Sequence, residues 1–296
     1  MELPLAGNTA GQLNPHASAQ TSDDALVRAL KRADVILART GAEESYLTAA
    51  TAYVDADRSK ASLMNVAFDL RLSEEITPSD AIKEIVDHFG SQGSVCHYLN
   101  SMDLDWPTEL VEAATANQFA AVTMQIDRLV NYARPDQVDE QMQVIPGRAA
   151  YQEMRSLYYQ NAIAVLSEQA GDDADSNAQV QIANQIADAA MDQFDEARID
   201  VFLARENKQP VGLMSLLTLG NIGVLSDVVL LPTLDQACSS RVMASLFGHV
   251  IDCCVRAQFE QVLVRGVQGD RELAFYEQYG FEQAVQYTRY VNSTDI

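Results

Sequence analysis

The sequence predicts an α/β (α+β) protein of two similar halves, each with a mixed sheet and a β-α-β-α-β core flanked by helices. Apolar residues make up 48% of the 296-residue chain, which is typical of a globular protein. Segments with strand-like and helix-like apolar patterns alternate along most of the chain. The order strand, helix, strand, helix, strand occurs twice with nearly equal spacing. This repeat indicates an internal duplication, although an unduplicated α/β chain can show similar spacing.

Three segments are expected along the chain. Residues 1–22 contain no basic start and no long apolar stretch, so we predict a disordered polar tail rather than a secretory signal. Residues 23–133 are predicted to form an N-terminal domain, and residues 134–296 a C-terminal domain.

The N-terminal half begins with an Ala-rich stretch, residues 23–57, for which we predict two helices. Leu26 and Leu30 have helical spacing in its first part, and Ala49 and Tyr53 have the same spacing in its second part. The first repeat then follows, with strands predicted at 62–72, 94–99 and 119–129 and helices at 78–90 and from Pro107.

The clearest helix start in this half is at Pro78. Thr77 provides a hydroxyl cap, proline is favoured at the first helical position, and Asp80 places an acid in the first turn. Apolar residues then follow at helical spacing up to Phe89, and glycines end the helix.

Between the two repeats we predict a short strand at 143–146, helices at 149–169 and 179–196, and an exposed acidic loop at 171–176. A hairpin of two strands, 199–205 and 210–218, comes next. The second repeat has predicted strands at 222–231, 260–267 and 281–291, and predicted helices at 239–257 and 270–279.

Charge and composition exclude several classes of protein. The formal net charge of −22 repels phosphate backbones, so we expect no nucleic-acid partner. No apolar run of about 18 residues occurs, so we expect no membrane association. The four cysteines lack the spacing of a metal site, and we expect reduced thiols, no metal and a cytoplasmic protein.

Three strings in the C-terminal half match motifs of a known superfamily. They are Val201–Arg205 followed by Pro210-Val211-Gly212, the strand end Val228–Pro232, and the closing run Phe275–Glu282 (FYEQYGFE). With these strings the chain resembles the GNAT superfamily of acyl-CoA-dependent N-acetyltransferases. The first repeat is similar at Leu63-Met64-Asn65 and in its first helix, so the resemblance implies a tandem form with a degenerate N-terminal half.

The resemblance implies acetyl-CoA as co-substrate and no metal. In the family, two parallel strands separate and the pantetheine arm lies between them, which here implicates the backbone of Val229, Leu230 and Leu231. The pyrophosphate meets the next loop and helix start, here Gln236, Ala237, Cys238, Ser239 and Ser240. The family pattern Gln/Arg-x-x-Gly-x-Gly/Ala is altered, because Asp235 opens the loop and Cys238 and Ser240 replace glycines. The small side chains at these positions still permit a phosphate to approach the backbone closely. Ser239 or Ser240 is expected to cap a helix that starts near Ser239. Arg241 and Arg271 are candidates for the missing positive charge.

The resemblance also implies two catalytic residues. Tyr276 lies where family members place a tyrosine that protonates the departing thiolate, although a half-buried packing role is the alternative. The candidate base is Asp227, on the expected separated strand, or a water held by Ser226. The alternatives are that Asp227 is a surface or capping acid and that water chains to solvent replace a dedicated base.

We therefore expect an N-acetyltransferase that moves an acetyl group from acetyl-CoA to a primary amine of a small molecule or peptide, in a possible homodimer. The altered loop motivates an alternative, a catalytically degenerate module that senses acyl-CoA or binds another protein. A third, structural hypothesis is compatible with either, namely that the N-terminal copy only covers the sheet of the second copy. It predicts that residues 1–145 bind no cofactor, since the equivalent loop, Ser73–Ile76, is acidic and contains no glycine.

Overall fold

A computed structural model describes residues 23–61, 64–101, 106–131, 142–169, 176–269 and 271–293. The expected N-terminal tail, residues 171–175 of the expected acidic loop and the predicted domain boundary at 133–134 lie outside these residues. Within the described part of the chain there are seven helices and eleven strands. None of these helices combines the length and the hydropathy needed to cross a membrane.

The elements follow the two predicted repeats. The N-terminal half contains α1 (Asp23–Arg39), β1 (Glu43–Tyr46), β2 (Thr51–Val54), β3 (Val66–Leu70), α2 (Pro78–Ser91), β4 (Tyr98–Ser101), α3 (Thr108–Ala116) and β5 (Phe119–Leu129). The C-terminal half contains β6 (Gln143–Pro146), α4 (Tyr151–Gln169), α5 (Ser176–Gln193), β7 (Ile199–Glu206), β8 (Gln209–Leu219), β9 (Ile222–Leu230), α6 (Gln236–Arg256), β10 (Gln261–Val267), α7 (Arg271–Glu277) and β11 (Phe281–Asn292).

The predicted second helix in residues 40–57 is wrong, because this stretch forms the β1–β2 hairpin. Ala52 and Tyr53 are buried in strand positions, and β2 pairs with both β1 and β3. Tyr46, at the end of β1, is 79% exposed. The alanines of this stretch favour a helix by intrinsic propensity, but pairing with β3 determines its conformation.

All described strands belong to one sheet, in the order β1-β2-β3-β4-β11-β5-β10-β9-β8-β7-β6. The last strand of each half is inserted into the other half. Strand β11 lies between β4 and β5, and β5 lies between β10 and β11. The antiparallel pair β5–β11 runs from Phe119, opposite Asn292, to Leu129, opposite Phe281. The two halves are therefore joined through exchanged strands.

Helices cover both faces of the sheet. The buried residues of α1, α4 and α5 pack with one set of strand residues, among them Ile126, Val229 and Leu263. On the other face, α6 and α7 pack around Phe247, and α2 and α3 pack around Phe89. Because strand residues alternate between faces, each inner strand contributes to both cores.

The two halves differ at the parallel pair of strands in the middle of each repeat. Strands β9 and β10 are paired only from Ile222 to Val224, opposite Gln261 to Leu263, although both continue beyond this point. Strand β9 stays paired with β8 as far as Leu230, and β10 stays paired with β5 as far as Val267. The sheet is therefore parted between β9 and β10.

The corresponding strands of the N-terminal half stay together. Strands β3 and β4 are paired from Val66, opposite Tyr98, to Leu70, opposite Ser101, with an irregularity between. Asp69, within this irregularity, has a positive φ of 55°. The N-terminal half consequently has no parted pair of strands in the described residues.

A tight turn at Gly280 connects α7 to β11 beside the end of β5. Gly280 has a φ of +93°, and a Cβ there would lie 1.6 Å from the Asn131 carbonyl oxygen. The Gly280 carbonyl accepts a hydrogen bond from the Val130 amide at 2.9 Å. Glycine is required because any side chain would collide with backbone.

We expect Gly280→Ala to lower the free energy of unfolding by about 3 kcal/mol or more, because the strained φ and the backbone collision add together. The matched control is Gly220→Ala. Gly220 also has a positive φ, +63°, but a Cβ there meets nothing within 4 Å. We expect a loss of about 1 kcal/mol in that variant. Urea denaturation of both variants tests this, and equal losses would contradict the collision.

Candidate functional site

The parted strands have a bulge at the point where they separate. Ser226 and Asp227 of β9 together face Ser215 of β8, where the register of the pair shifts. The Ser215 hydroxyl accepts a hydrogen bond from the Asp227 amide at 3.0 Å and lies 2.8 Å from the Ser226 hydroxyl. Bulges re-aim side chains, and this one places the Asp227 carboxylate on the α4–α5 face of the sheet.

The carboxylate of Asp227 lies in a partly buried position. The Ser215 hydroxyl donates to its Oδ2 at 3.3 Å, and the Tyr158 hydroxyl lies beside it. Burial raises the pKa of Asp227 above its ordinary value, while Ser215, Tyr158 and the charge of Arg265 lower it. A carboxylate with a raised pKa is a stronger base than an ordinary aspartate.

Arg265 connects this carboxylate to a buried ionic cluster. Its guanidinium contacts the carboxylate of Asp34 on α1, which also accepts a hydrogen bond from Arg289 at 2.6 Å. The Asp34 side chain is fully buried, so both arginines are needed to balance its loss of hydration. The cluster joins α1 of the N-terminal half to β10 and β11 beside the parted strands.

A cavity of about 150 Å³ lies next to Asp227 on the same face. Its polar lining comes from Asp227, Tyr158, Gln193 and Lys60. Among the residues that the structure describes, the other lining residues are Ala61, Ile186, Ala189 and Ala190. Lys60 and Ala61 belong to the N-terminal half, so the cavity is built by both halves.

The start of α6 differs from the prediction. The helix begins at Gln236, three residues before the expected start at Ser239, and neither Ser239 nor Ser240 caps it. Asp235 is the cap, and its carboxylate accepts a hydrogen bond from the Cys238 amide at 2.7 Å. Aspartate is among the best capping residues, which explains the earlier start. The Ser240 hydroxyl instead donates to the Gln236 carbonyl at 2.9 Å.

The Asp235 carboxylate therefore occupies the place where an anion would meet the helix. Hydrogen bonds from Cys238, and to a smaller extent from Ala237, lower the pKa of Asp235, so this fully exposed group is charged. Arg241, one turn into the helix, contacts Glu206 at 3.2 Å and also donates to the Cys238 sulfur. Positive and negative charges are thus both present at this end of α6.

The remaining residues predicted for cofactor binding lie at the end of β9 and at the start of α6. Val229 is buried, and Leu230 and Leu231 are partly buried. The Leu231 amide donates to the Val211 carbonyl at 2.9 Å, so it is already used within the protein. Gln236 and Ala237 are exposed at the helix start.

Tyr276 lies on the opposite face of the sheet from Asp227. Its ring is 5% exposed and packs at 6.0 Å from Phe247 and 5.5 Å from Phe281. Helix α7, which carries Tyr276, packs on β10. The two residues predicted as catalytic therefore lie on different faces of the sheet.

Sequence reasoning missed three residues around Asp227. Arg265 interrupts an apolar strand, and Asp34 follows Leu30 at helical spacing on a buried face. A charged residue within an apolar pattern could have identified both of them. Tyr158 is one of several tyrosines on α4, and its nearness to Asp227 depends on how α4 crosses the sheet. No group of residues able to hold a metal ion is found in the part of the chain that the structure describes.

No family model and no curated protein match the sequence. Among solved structures, the chain is similar to a functionally unknown conserved protein from Staphylococcus epidermidis ATCC 12228, with a TM-score of 0.57, 13% identity, and coverage of 85% of this chain and 94% of that one. It is also similar to a GCN5-related N-acetyltransferase from Kribbella flavida, with a TM-score of 0.54, 13% identity, and coverage of 89% and 94%.

Both likenesses extend over most of each chain, and at 13% identity they concern the fold. They confirm the predicted mixed α/β class and the predicted resemblance. The chain has the fold of the GNAT superfamily.

Proposed function

We propose that the protein is an acyl-CoA-dependent N-acyltransferase that moves an acetyl group from acetyl-CoA to a primary amine. The observation that carries this proposal is the parting of β9 and β10, with the partly buried carboxylate of Asp227 on one face of the sheet and Tyr276 on the other face. A slender acyl thioester fits an opening between two strands, whose unpaired backbone groups need hydrogen-bond partners.

In this proposal acetyl-CoA enters from the side of α6. The amides at the start of α6 and the helix dipole favour an anion, and Arg241 adds positive charge there. Asp235 opposes the pyrophosphate. We therefore expect the cofactor to bind more weakly than a glycine-containing loop would allow.

The acceptor amine approaches from the cavity beside Asp227. An ammonium group loses one proton to the Asp227 carboxylate and becomes a neutral nucleophile. Its nitrogen forms a bond to the thioester carbonyl carbon and loses a second proton to solvent as the C–S bond breaks. The electron pair of that bond leaves with sulfur, and the thiolate takes a proton from the Tyr276 hydroxyl.

A second candidate function is a module that binds acyl-CoA or another protein without transferring an acyl group. Asp235 specifically favours it, because a charged carboxylate holds the amides that the pyrophosphate needs. The two candidates differ in turnover. Thiol release from acetyl-CoA in the presence of amines supports the transferase, and its absence with a range of amines supports the module.

We expect Asp227→Asn to lower kcat/KM by about 10²- to 10⁴-fold, as for the loss of a general base. In the unaltered enzyme kcat/KM rises with pH as the Asp227 carboxyl loses its proton, and its raised pKa moves that rise above the ordinary range for aspartate. This limb disappears in the variant. The measurement is a pH profile of thiol release, with Asp200→Asn, an exposed residue on β7, as control. An unchanged profile in Asp227→Asn would rule out this base.

We expect Tyr276→Phe to lower kcat by about 10²-fold or more, because the departing thiolate loses its proton donor. Phenylalanine keeps the packing with Phe247 and Phe281, so the thermal midpoint serves as a check on folding. The control is Tyr279→Phe, since Tyr279 packs on Phe247 at 4.8 Å in the same cluster. Equal rates in the two variants would leave Tyr276 as a packing residue.

We expect Asp235→Asn to strengthen acetyl-CoA binding by about two- to fivefold, since asparagine keeps the helix cap and removes the negative charge. Isothermal titration of acetyl-CoA at low salt measures the change, which should shrink as salt is added. Unaltered affinity would mean that the pyrophosphate does not lie at the start of α6.

A further inference from the structure

We propose that the cavity beside Asp227 binds a small aliphatic amino acid, with the ammonium group at Asp227 and the carboxylate at Lys60 and Gln193. The N-terminal half determines this specificity through the segment from Asp55 to Ala61, here named the 55–61 loop. The inference rests on the proposed function, because it identifies the acceptor for the transfer.

The size of the cavity limits the ligand. A cavity of about 150 Å³ holds a molecule of roughly benzene size, which is about six non-hydrogen atoms. Its walls at Ala61, Ile186, Ala189 and Ala190 are apolar and carry small or branched side chains. A compact aliphatic body fits such walls, and a peptide or polyamine would extend out of the cavity.

Polar groups in the lining match the two ends of an amino acid. Asp227 and Tyr158 provide oxygen atoms for an ammonium group. Gln193 is 1% exposed, and its Nε2 has no hydrogen-bond partner among the residues that the structure describes. A buried amide donor without a partner is costly, so a ligand acceptor at this place would be stabilising.

Lys60 supplies the positive charge for that acceptor. It is exposed at the edge of the cavity and makes no ion pair with any described residue. An ammonium on a flexible stem together with an amide donor suits a carboxylate. The chain contains four lysines, and one of them, Lys60, is in this lining.

The 55–61 loop is held firmly against the C-terminal half. Arg58 contacts Asp55 at 2.6 Å and Asp192 of α5 at 2.5 Å. Asn65 donates to the Arg58 carbonyl at 3.0 Å and accepts from the Asp55 amide at 2.9 Å. Gln185 of α5 also donates to the Asp57 carbonyl at 3.1 Å. These contacts place Lys60 at a defined position beside the cavity.

Calorimetric titration of the whole protein tests the inference directly. The probes are glycine, alanine, β-alanine and 4-aminobutyrate, each compared with its carboxamide, and isobutyrate, in which a methyl group replaces the amine of alanine. Titrations are run with and without free CoA, so no transfer occurs. We expect at least one of the amino acids to bind about tenfold or more tightly than its carboxamide, and isobutyrate to bind more weakly than alanine.

Two variants locate the contact. Lys60→Met keeps an apolar side chain of similar length and removes the charge. We expect it to weaken amino acid binding about tenfold and to leave the binding of the carboxamide unchanged. The matched control is Lys83→Met, because Lys83 is also an exposed lysine of the N-terminal half, on α2. Equal binding of the acids and their amides, no binding of any acid, or indifference to Lys60→Met overturns the inference.

Thiol release from acetyl-CoA separates this inference from the proposed function. Transfer to amines regardless of a carboxylate retains the transferase and overturns the amino acid site. Binding of an amino acid that depends on Lys60, without thiol release, retains the site and overturns the transferase.

Discussion

The pairing of β5 with β11 is the constraint on which the structure depends. These strands close the repeats of opposite halves, and each is inserted between strands of the other half. Neither half can complete its sheet alone, so the cores on both faces form together. The ionic cluster of Asp34, Arg265 and Arg289 strengthens the same junction, because it joins α1 to β10 and β11.

This shared sheet explains how two similar repeats have different roles. Strands β9 and β10 are each held along their outer edges, by β8 and by β5, and can part without losing the sheet. Strands β3 and β4 remain paired over 66–70 and 98–101, so no second opening is found between the described parts of these strands. Its 55–61 loop completes the cavity beside Asp227. The first repeat therefore supports the second and shapes the site that we assign to the acceptor.

Some of the residues of the candidate site could be predicted from the sequence, and others could not. The closing run of the C-terminal half predicts Tyr276 and the predicted separated strand predicts Asp227, and both catalytic roles stay predictions. Burial raises the pKa of Asp227. The sequence analysis did not predict that Asp235 caps α6. A cap depends on where the helix begins, and α6 begins at Gln236, directly after this acid. Arg265 and Asp34 were recognisable only as charges in apolar patterns.

The sequence by itself determined the order and type of most elements, since periodicity, caps and turns are local and each side chain pattern suits one kind of backbone. It failed at residues 43–54, where alanines favoured a helix and pairing with β3 imposed a hairpin. Only the tertiary structure decided the exchange of β5 and β11 and the meeting of Lys60, Tyr158 and Asp227 in one cavity. These features depend on contacts between residues far apart in the chain, and a local pattern carries no information about which distant strand or helix will be its neighbour.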